Sequence, residues 1–260
     1  MESPRLRVTR RSLVLATAGI ACPSPASAFG QQGAFHARSI VRAEGRRPVG
    51  LRATALGRWA WELVRRTSAP GRLLPQPVVL DSPELLNEPF LVWYGDKSVK
   101  PLTSGERNRL RRFFELGGVM VVDDSAPDKL EFVESAKREL ARVLPESPVT
   151  RLPTTHVVYK SYYLIDRPIG RVLGPPRLEA IVRGRHLQVL LSSHDLLGAL
   201  AFERGGTWSL PMEVDSPNGR QRAVRLAVNI AMFVLCSDYK DDQVHAEELM
   251  RRRGRQRTTR

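Results

Sequence analysis

The feature that most constrains the fold is a strand, a capped helix and a second strand that follow one another along the chain. Residues 90–93 and 119–122 are short, continuous apolar runs, which are typical of parallel strands covered on both faces. Between them, Thr103 and Glu106 have the spacing of a capping box at the start of a helix. Gly117-Gly118 ends that helix directly before the second run. The pattern predicts a right-handed βαβ unit with two buried strands.

Other segments of the chain have the same two patterns, which are apolar residues at helical spacing and short apolar runs typical of strands. Apolar residues at helical spacing predict three more helices, over residues 51–67, 128–143 and 223–236. Short apolar runs predict further strands, at residues 39–41, 78–80, 178–182 and 188–191. Trp59 and Trp61 are two residues apart on the first of these helices, so only one of them can face the core. Strands that alternate with helices predict an α/β fold, with an open, mostly parallel sheet and helices on both faces.

The first 28 residues have the three parts of an export signal. Arg10 and Arg11, in Thr-Arg-Arg-Ser-Leu-Val, resemble the pair of a twin-arginine signal, and an apolar stretch follows at residues 13–21. Ala26-Ser27-Ala28 supplies the small residues that signal peptidase requires. The leader therefore predicts recognition by the twin-arginine translocase, cleavage after Ala28 and a periplasmic or extracellular location. A general secretory signal and lipoprotein attachment through Cys22 are the alternatives.

The remaining chain has the length and composition of one globular domain. We expect a signal peptide over residues 1–28, a spacer over 29–37, a single α/β domain over 38–250 and a basic tail over 251–260. Hydrophobic residues make up 42% and charged residues 26% of the chain, as in ordinary soluble domains. Arg225 and Asn229 interrupt the last apolar helix, so we expect a core helix and no transmembrane span in the mature chain.

The formal net charge of +14 is concentrated at the two ends of the chain. The leader has four arginines and one glutamate, and residues 251–260 have six arginines, which leaves a net charge of +5 for residues 29–250. That interval has no run of Lys and Arg interleaved with aromatic residues. We therefore expect a solvated basic surface, and nucleic acid is not an expected partner.

The number of cysteines excludes a small domain held together by disulfides and one held together by a cysteine-ligated zinc ion. Cleavage of the leader removes Cys22 and leaves Cys236 as the one thiol, so neither an intrachain disulfide nor a cysteine-based zinc cluster can form. Because Cys236 lies on the apolar last helix, we expect the pKa of its thiol to be raised and not lowered, which disfavours a nucleophilic role.

Several motifs together resemble a bacterial family of unknown function, the domain family numbered 4159. They are residues 110–122 with Asp123-Asp124, Leu152-Pro153 with His156, Ser192-Ser193-His194-Asp195, and residues 239–245. The resemblance covers nearly all of the mature chain. It implies the open sheet of the class I glutamine amidotransferase-like (flavodoxin-like) fold, but no activity, because the family is uncharacterised. Amidotransferases have a nucleophilic cysteine on the tight turn after a core strand, where this chain has Asp123-Asp124-Ser125, so that activity is disfavoured.

Acidic residues follow two of the predicted core strands. Asp123 and Asp124 come after one strand, and Asp195 follows the other with Ser193-His194 before it. Parallel strands place their carboxyl ends at one edge, where ligands of open α/β sheets bind, so we expect these aspartates to share a cleft with His156. Carboxylates with a histidine have the chemistry to hold Mg²⁺ or to act as an acid–base pair. The sequence itself requires no cofactor.

Structural roles compete with each of these interpretations. An aspartate after a strand commonly caps the next helix or accepts backbone N–H bonds in a turn, and this role is favoured for Asp123 and Asp124. A triad of Ser193, His156 and Asp124 is disfavoured, because no Gly-x-Ser-x-Gly elbow exposes the serine. For residues 241–245 we favour a solvated, salt-bridged segment over a metal site.

Two functional hypotheses follow. The leading one is a non-catalytic binding or assembly module of the bacterial envelope, with a protein partner there and no enzymatic activity. The alternative is a hydrolase, with or without a metal, that uses the acidic residues at the strand ends. An enzyme needs Asp123 or Asp124 together with His156 or Asp195 around one cleft, whereas a module needs an exposed apolar patch. A nucleic-acid binder acting through the basic tail is a third, weaker hypothesis.

Replacement of Arg10 and Arg11 by lysine is expected to leave uncleaved precursor in the cytoplasm, because the arginine pair is the specific part of the signal. Immunoblots of cell fractions after pulse labelling measure the ratio of precursor to mature protein. Processing of the doubly substituted precursor at the normal rate would contradict the twin-arginine route and favour a general secretory signal.

Overall fold

The computed structural model describes residues 33–42, 50–203 and 205–237. Several of the sequence predictions fall outside these described residues. They are the signal peptide with Arg10, Arg11, Cys22, Ala26 and Ala28, the first part of the spacer, the segment at residues 241–245 and the tail at residues 251–260.

A seven-stranded mixed sheet forms the centre of the described chain. Its strands are β1 (Arg38–Val41), β2 (Val78–Val79), β3 (Phe90–Gly95), β4 (Val119–Asp124), β5 (Val149–Arg151), β6 (Glu179–Arg183) and β7 (His186–Ser192). They lie in the order β2-β1-β3-β4-β7-β6-β5. The first five strands in this order are parallel to one another, whereas β6 is antiparallel to both β7 and β5. The expected open, mostly parallel α/β sheet is confirmed.

Helices cover both faces of the sheet. They are α1 (Ala55–Thr67), α2 (Ser104–Glu115), α3 (Glu131–Val143), α4 (Leu196–Leu200) and α5 (residues 219–237), with short 3₁₀ helices at Pro83–Asn87 and Val157–Tyr159. Apolar residues of α1, α4 and α5 share one buried cluster with one face of the sheet. Residues of α2 and α3 form a second cluster on the opposite face. Each central strand is therefore covered on both sides, as its continuous apolar sequence predicts.

The predicted βαβ unit is present as β3, α2 and β4. The two strands pair in parallel from Phe90 with Val119 to Gly95 with Asp124. Both capping-box bonds form, since Thr103 Oγ1 accepts from the Glu106 N–H at 3.2 Å and Glu106 Oε2 accepts from the Thr103 N–H at 2.8 Å. At the other end, Gly117 follows the last turn with a left-handed φ of 89°, so local sequence signals set both ends of this helix.

Three helix starts differ from the sequence prediction, and one of them is that of α5, which begins at residue 219 and not at residue 223. The helix predicted over residues 51–67 begins at Ala55, and Leu51 before it is exposed. The helix predicted over residues 128–143 begins at Glu131, because Leu130 has a left-handed backbone with φ of 58°. A residue in that conformation cannot continue a right-handed helix.

Burial corrects three further expectations. Phe35, which the sequence assigns to the spacer, is buried against Trp59 and Phe90 with ring centroids 5.7 and 5.1 Å apart, so packing begins before residue 38. Val79 is 40% exposed because β2 is an edge strand and is not covered on both faces. Cys236 is exposed, so its thiol does not lie in the apolar surroundings that the sequence of the last helix predicted. The absence of a nucleophile-elbow cysteine is then the remaining sequence argument against amidotransferase chemistry.

The polar residue inside α5 has a structural role. Asn229 is buried, and its amide group bonds to the Tyr163 N–H at 2.7 Å and to the carbonyls of Val158 and Tyr163. Within the part of the chain that the structure describes, no helix is both long enough and apolar enough to span a membrane.

Replacement of Val121 by Asp is expected to prevent folding. Val121 is fully buried on central β4, and an unpaired charge there costs several kcal/mol, against about 5–15 kcal/mol of total stability for a domain. Val79→Asp on the exposed edge strand is the matched control and should retain a cooperative thermal transition. Cooperative melting of the Val121→Asp protein, followed by circular dichroism, would contradict the assignment of β4 as a core strand.

Candidate functional site

The polar residues at the carboxyl ends of β4 and β7 lie side by side. Asp123 and Asp124 are the last two residues of β4, and Asp123 pairs in register with Ser192 of β7. Because successive strand residues face opposite sides of a sheet, the two aspartates point to different faces. Asp123 faces α4, whereas Asp124 lies on the side of α3.

Asp123 caps α4. Its Oδ1 accepts from the Leu196 N–H at 2.9 Å and its Oδ2 accepts from the Leu197 N–H at 2.8 Å. The side chain is fully buried, and burial together with the negative charge of Asp195 raises its pKa. Both oxygens are thus committed to the backbone of the helix that follows β7.

Asp195 is the centre of a buried charge network. Its carboxylate is 0% exposed and receives two bonds from Arg52, Nε to Oδ1 at 2.7 Å and Nη2 to Oδ2 at 2.6 Å. Nε of Arg171 also donates to Oδ2, and the N–H of Gly198 donates to Oδ1 at 3.0 Å. A Cβ atom on Gly198 would overlap this carboxylate, so glycine is needed there. Two guanidinium groups therefore neutralise one buried carboxylate.

The same network connects the loops at this edge of the sheet. Arg52 precedes α1 and also donates to the Ser125 carbonyl, after β4, at 3.1 Å. Nη1 of Arg171 pairs with Glu213, and the Arg171 N–H bonds to the Asp195 carbonyl at 3.2 Å. We call Arg52, Arg171, Asp195 and Glu213 the Asp195 network. It holds segments from four parts of the sequence against the carboxyl ends of the strands.

Asp124 is less completely bonded than its neighbour. Its Oδ1 accepts from the Ala126 N–H at 3.0 Å, in the turn that follows β4. The Val133 N–H at the start of α3 also interacts with this carboxylate, although neither the buried Oδ2 nor the buried Ser125 hydroxyl has a partner at normal hydrogen-bond distance among the described residues. Burial raises the pKa of the Asp124 carboxyl. Asp124 is therefore the acidic residue of this edge with coordination capacity left.

His194 is buried beneath the loop that carries Arg171. Its Nε2 lies 2.9 Å from the Pro175 carbonyl, and burial lowers its pKa to about 4. Gly170 and Gly174 contact the backbone of residues 193–194 so closely that a side chain at either glycine would collide with it. The loop is thus seated directly on the end of β7.

His156 makes its contacts elsewhere. It caps the Val157–Tyr159 helix, where its Nδ1 accepts from the Val158 N–H at 3.2 Å, and its ring centroid is 5.6 Å from that of Phe233 on α5. No described contact joins His156 to Asp123, Asp124 or Asp195. The described residues also contain no group of three or more His, Cys, Asp and Glu side chains placed to hold a metal ion.

Sequence reasoning missed the arginines of this site. Arg52 and Arg171 lie 143 and 24 residues from Asp195 in the sequence, and neither belongs to a motif. The one local signal is the Gly170 to Gly174 spacing around Arg171, which marks a segment that packs closely on other backbone. The charge partners themselves follow only from the fold.

Replacement of Asp195 by Asn is expected to reduce the free energy of unfolding by about 3–5 kcal/mol, because it leaves two arginines without their buried counter-charge. Glu213→Gln removes the exposed end of the same network, where the side chain is 59% exposed, and should cost less than about 1 kcal/mol. Urea unfolding followed by tryptophan fluorescence measures both changes. Equal losses in the two variants would contradict the central role of Asp195.

Comparison with known families adds one match. Residues 50–235 match the model of a family described as "Domain of unknown function (DUF4159)". The matched interval includes all four residues of the Asp195 network. No curated protein matches the chain.

Proposed function

Because this chain belongs to the DUF4159 family, whose description assigns no activity, we propose its function from the geometry: it is a non-catalytic binding module of the bacterial envelope.

One observation supports this proposal: the acidic residues at the strand ends already bond to the backbone or to arginine side chains. Asp123 uses both carboxylate oxygens to cap α4, and Asp195 uses both to bind arginine. A general base or a metal ligand needs a lone pair directed at substrate or ion. Asp195 accepts four hydrogen bonds and has no acceptor site left, and Asp123 is fully buried beneath the start of α4. His156 makes its contacts away from both.

The envelope location in the proposal derives from the leader. Arg10-Arg11, the apolar stretch and Ala26-Ser27-Ala28 support export, and the lysine substitutions described above test it. In that location the module binds a partner through its exposed surface, and the strand ends serve as a rigid support.

The hydrolase alternative now depends on Asp124. Its Oδ2 is buried without a described partner, and its raised pKa is the kind of perturbation that active sites use. This observation is specific enough to require a direct test of metal binding.

Thermal melting of the mature chain in Mg²⁺ and in EDTA distinguishes the binding module from a metal-dependent hydrolase. We expect the same melting temperature in both, whereas a bound ion at 100 times its Kd would add about 2.7 kcal/mol. Asp124→Asn tests the candidate ligand, and Asp128→Asn, at an exposed position in the same loop, is the matched control. Stabilisation by Mg²⁺ that Asp124→Asn abolishes and Asp128→Asn retains would overturn the binding module in favour of a metal-dependent enzyme.

A further inference from the structure

The loop that carries Arg171 buries little apolar side chain of its own. Residues 170–177, which we call the Arg171 loop, form neither a helix nor a strand and lie between the buried residues Ile169 and Leu178. No side chain within the loop is buried, and Leu173 is 58% exposed. A segment without buried apolar side chains opens at a lower cost in free energy than the core does. The two ends of the loop are therefore anchored, and its middle is the part that can open.

Contacts with the end of β7 hold the Arg171 loop closed. The N–H groups of Arg171 and Val172 donate to the carbonyls of Asp195 and His194 at 3.2 and 3.1 Å. The Arg171 guanidinium also pairs with the Asp195 carboxylate. Gly174 lies so close to the His194 ring that a Cβ atom on this glycine would overlap it. The closed loop therefore covers both His194 and Asp195, whose side chains are buried.

The His194 ring fits the closed loop in its uncharged form. Its Nε2–H donates to the Pro175 carbonyl at 2.9 Å, because a carbonyl can only accept. Nδ1 is buried and has no hydrogen-bonding partner in the described part of the chain, so a proton on it would be a buried donor without an acceptor. Arg167 is the charged side chain that acts on the ring, and it would repel a positive charge there. The charged groups of the Asp195 network pair with one another.

Opening of the loop returns the His194 ring to water. Burial lowers the pKa of His194 to about 4 in the closed loop, against an ordinary value of 6.5. A proton therefore binds the open form more tightly than the closed form. As the pH falls from above 6.5 toward 4, the closed loop loses stability relative to the open one.

We propose that the Arg171 loop is an acid-sensitive cover, which protonation of His194 releases from the end of β7. Release separates Arg171 from Asp195 and uncovers the carboxyl edge of the sheet, where open α/β sheets bind their ligands. The switch requires neither a partner nor a substrate. It therefore goes beyond the binding-module function, and its test does not depend on that function.

Amide hydrogen exchange of the mature chain, corrected for the intrinsic rate at each pH, tests the proposal. The peptide that contains Arg171 and Val172 reports the loop, and a peptide from α2 reports the rest of the fold. We expect the loop peptide to be less protected than α2 at every pH, because the loop opens while the sheet stays folded. Its protection should fall about 30-fold between about pH 7.5 and about pH 5, which follows from a pKa of 6.5 in the open loop and about 4 in the closed loop.

Replacement of His194 by Gln identifies the group that responds to pH. The glutamine amide can still donate to the Pro175 carbonyl but does not titrate, so the 30-fold fall in protection of the loop peptide should be lost. His156→Gln is the matched control, because it removes a half-buried histidine whose contacts lie elsewhere, and the fall should remain.

Three results would overturn the proposal. One is a loop protection that does not change with pH. Another is equal protection of the loop and α2, which indicates that the loop opens only when the whole chain unfolds. The third is a pH dependence that His194→Gln retains, which indicates that another group titrates. The first two results are measured on the unmodified chain, so they apply even if His194→Gln does not fold.

Discussion

The buried carboxylate of Asp195 is the group around which the carboxyl edge of the sheet is arranged. A charge in this position costs several kcal/mol unless it is paired, and here Arg52 and Arg171 pair it from two separate segments. The bonds require the chain before α1 and the loop around Arg171 to reach the end of β7. Gly170, Gly174 and Gly198 are consistent with this requirement, because a side chain at any of them would collide with residues 193–195.

This arrangement changes what the strand ends can do. In open α/β sheets the crevice beyond the carboxyl ends of the strands is the usual ligand site. That rule predicts where a ligand binds, but it does not predict whether the side chains there are free to bind one. In this chain Asp123 stabilises α4 and Asp195 holds the surrounding loops. These two acidic residues at the expected ligand site therefore have structural roles.

The parts of the fold that sequence patterns predicted correctly are those with local causes. The capping box of α2 and the glycine pair after it involve residues a few positions apart. The continuous apolar sequences of β3 and β4 are typical of strands buried on both faces. Errors occurred where a distant contact or an unexpected backbone conformation decides. Phe35 is in the core because Trp59 and Phe90 surround it, and the first turn of the helix predicted from residue 128 is absent because Leu130 adopts a left-handed backbone.

The sequence by itself determined the fold class, the βαβ unit and the placement of Asp123 and Asp195 at the ends of core strands. It also determined that no cysteine stands at a nucleophile elbow. The tertiary structure alone decided whether those carboxylates are free to react. Coulombic pairing depends on distance in space. Arg52 lies 2.6 Å from the Asp195 carboxylate, but the two residues are 143 positions apart in the sequence. No local sequence pattern can predict a pair so far apart along the chain.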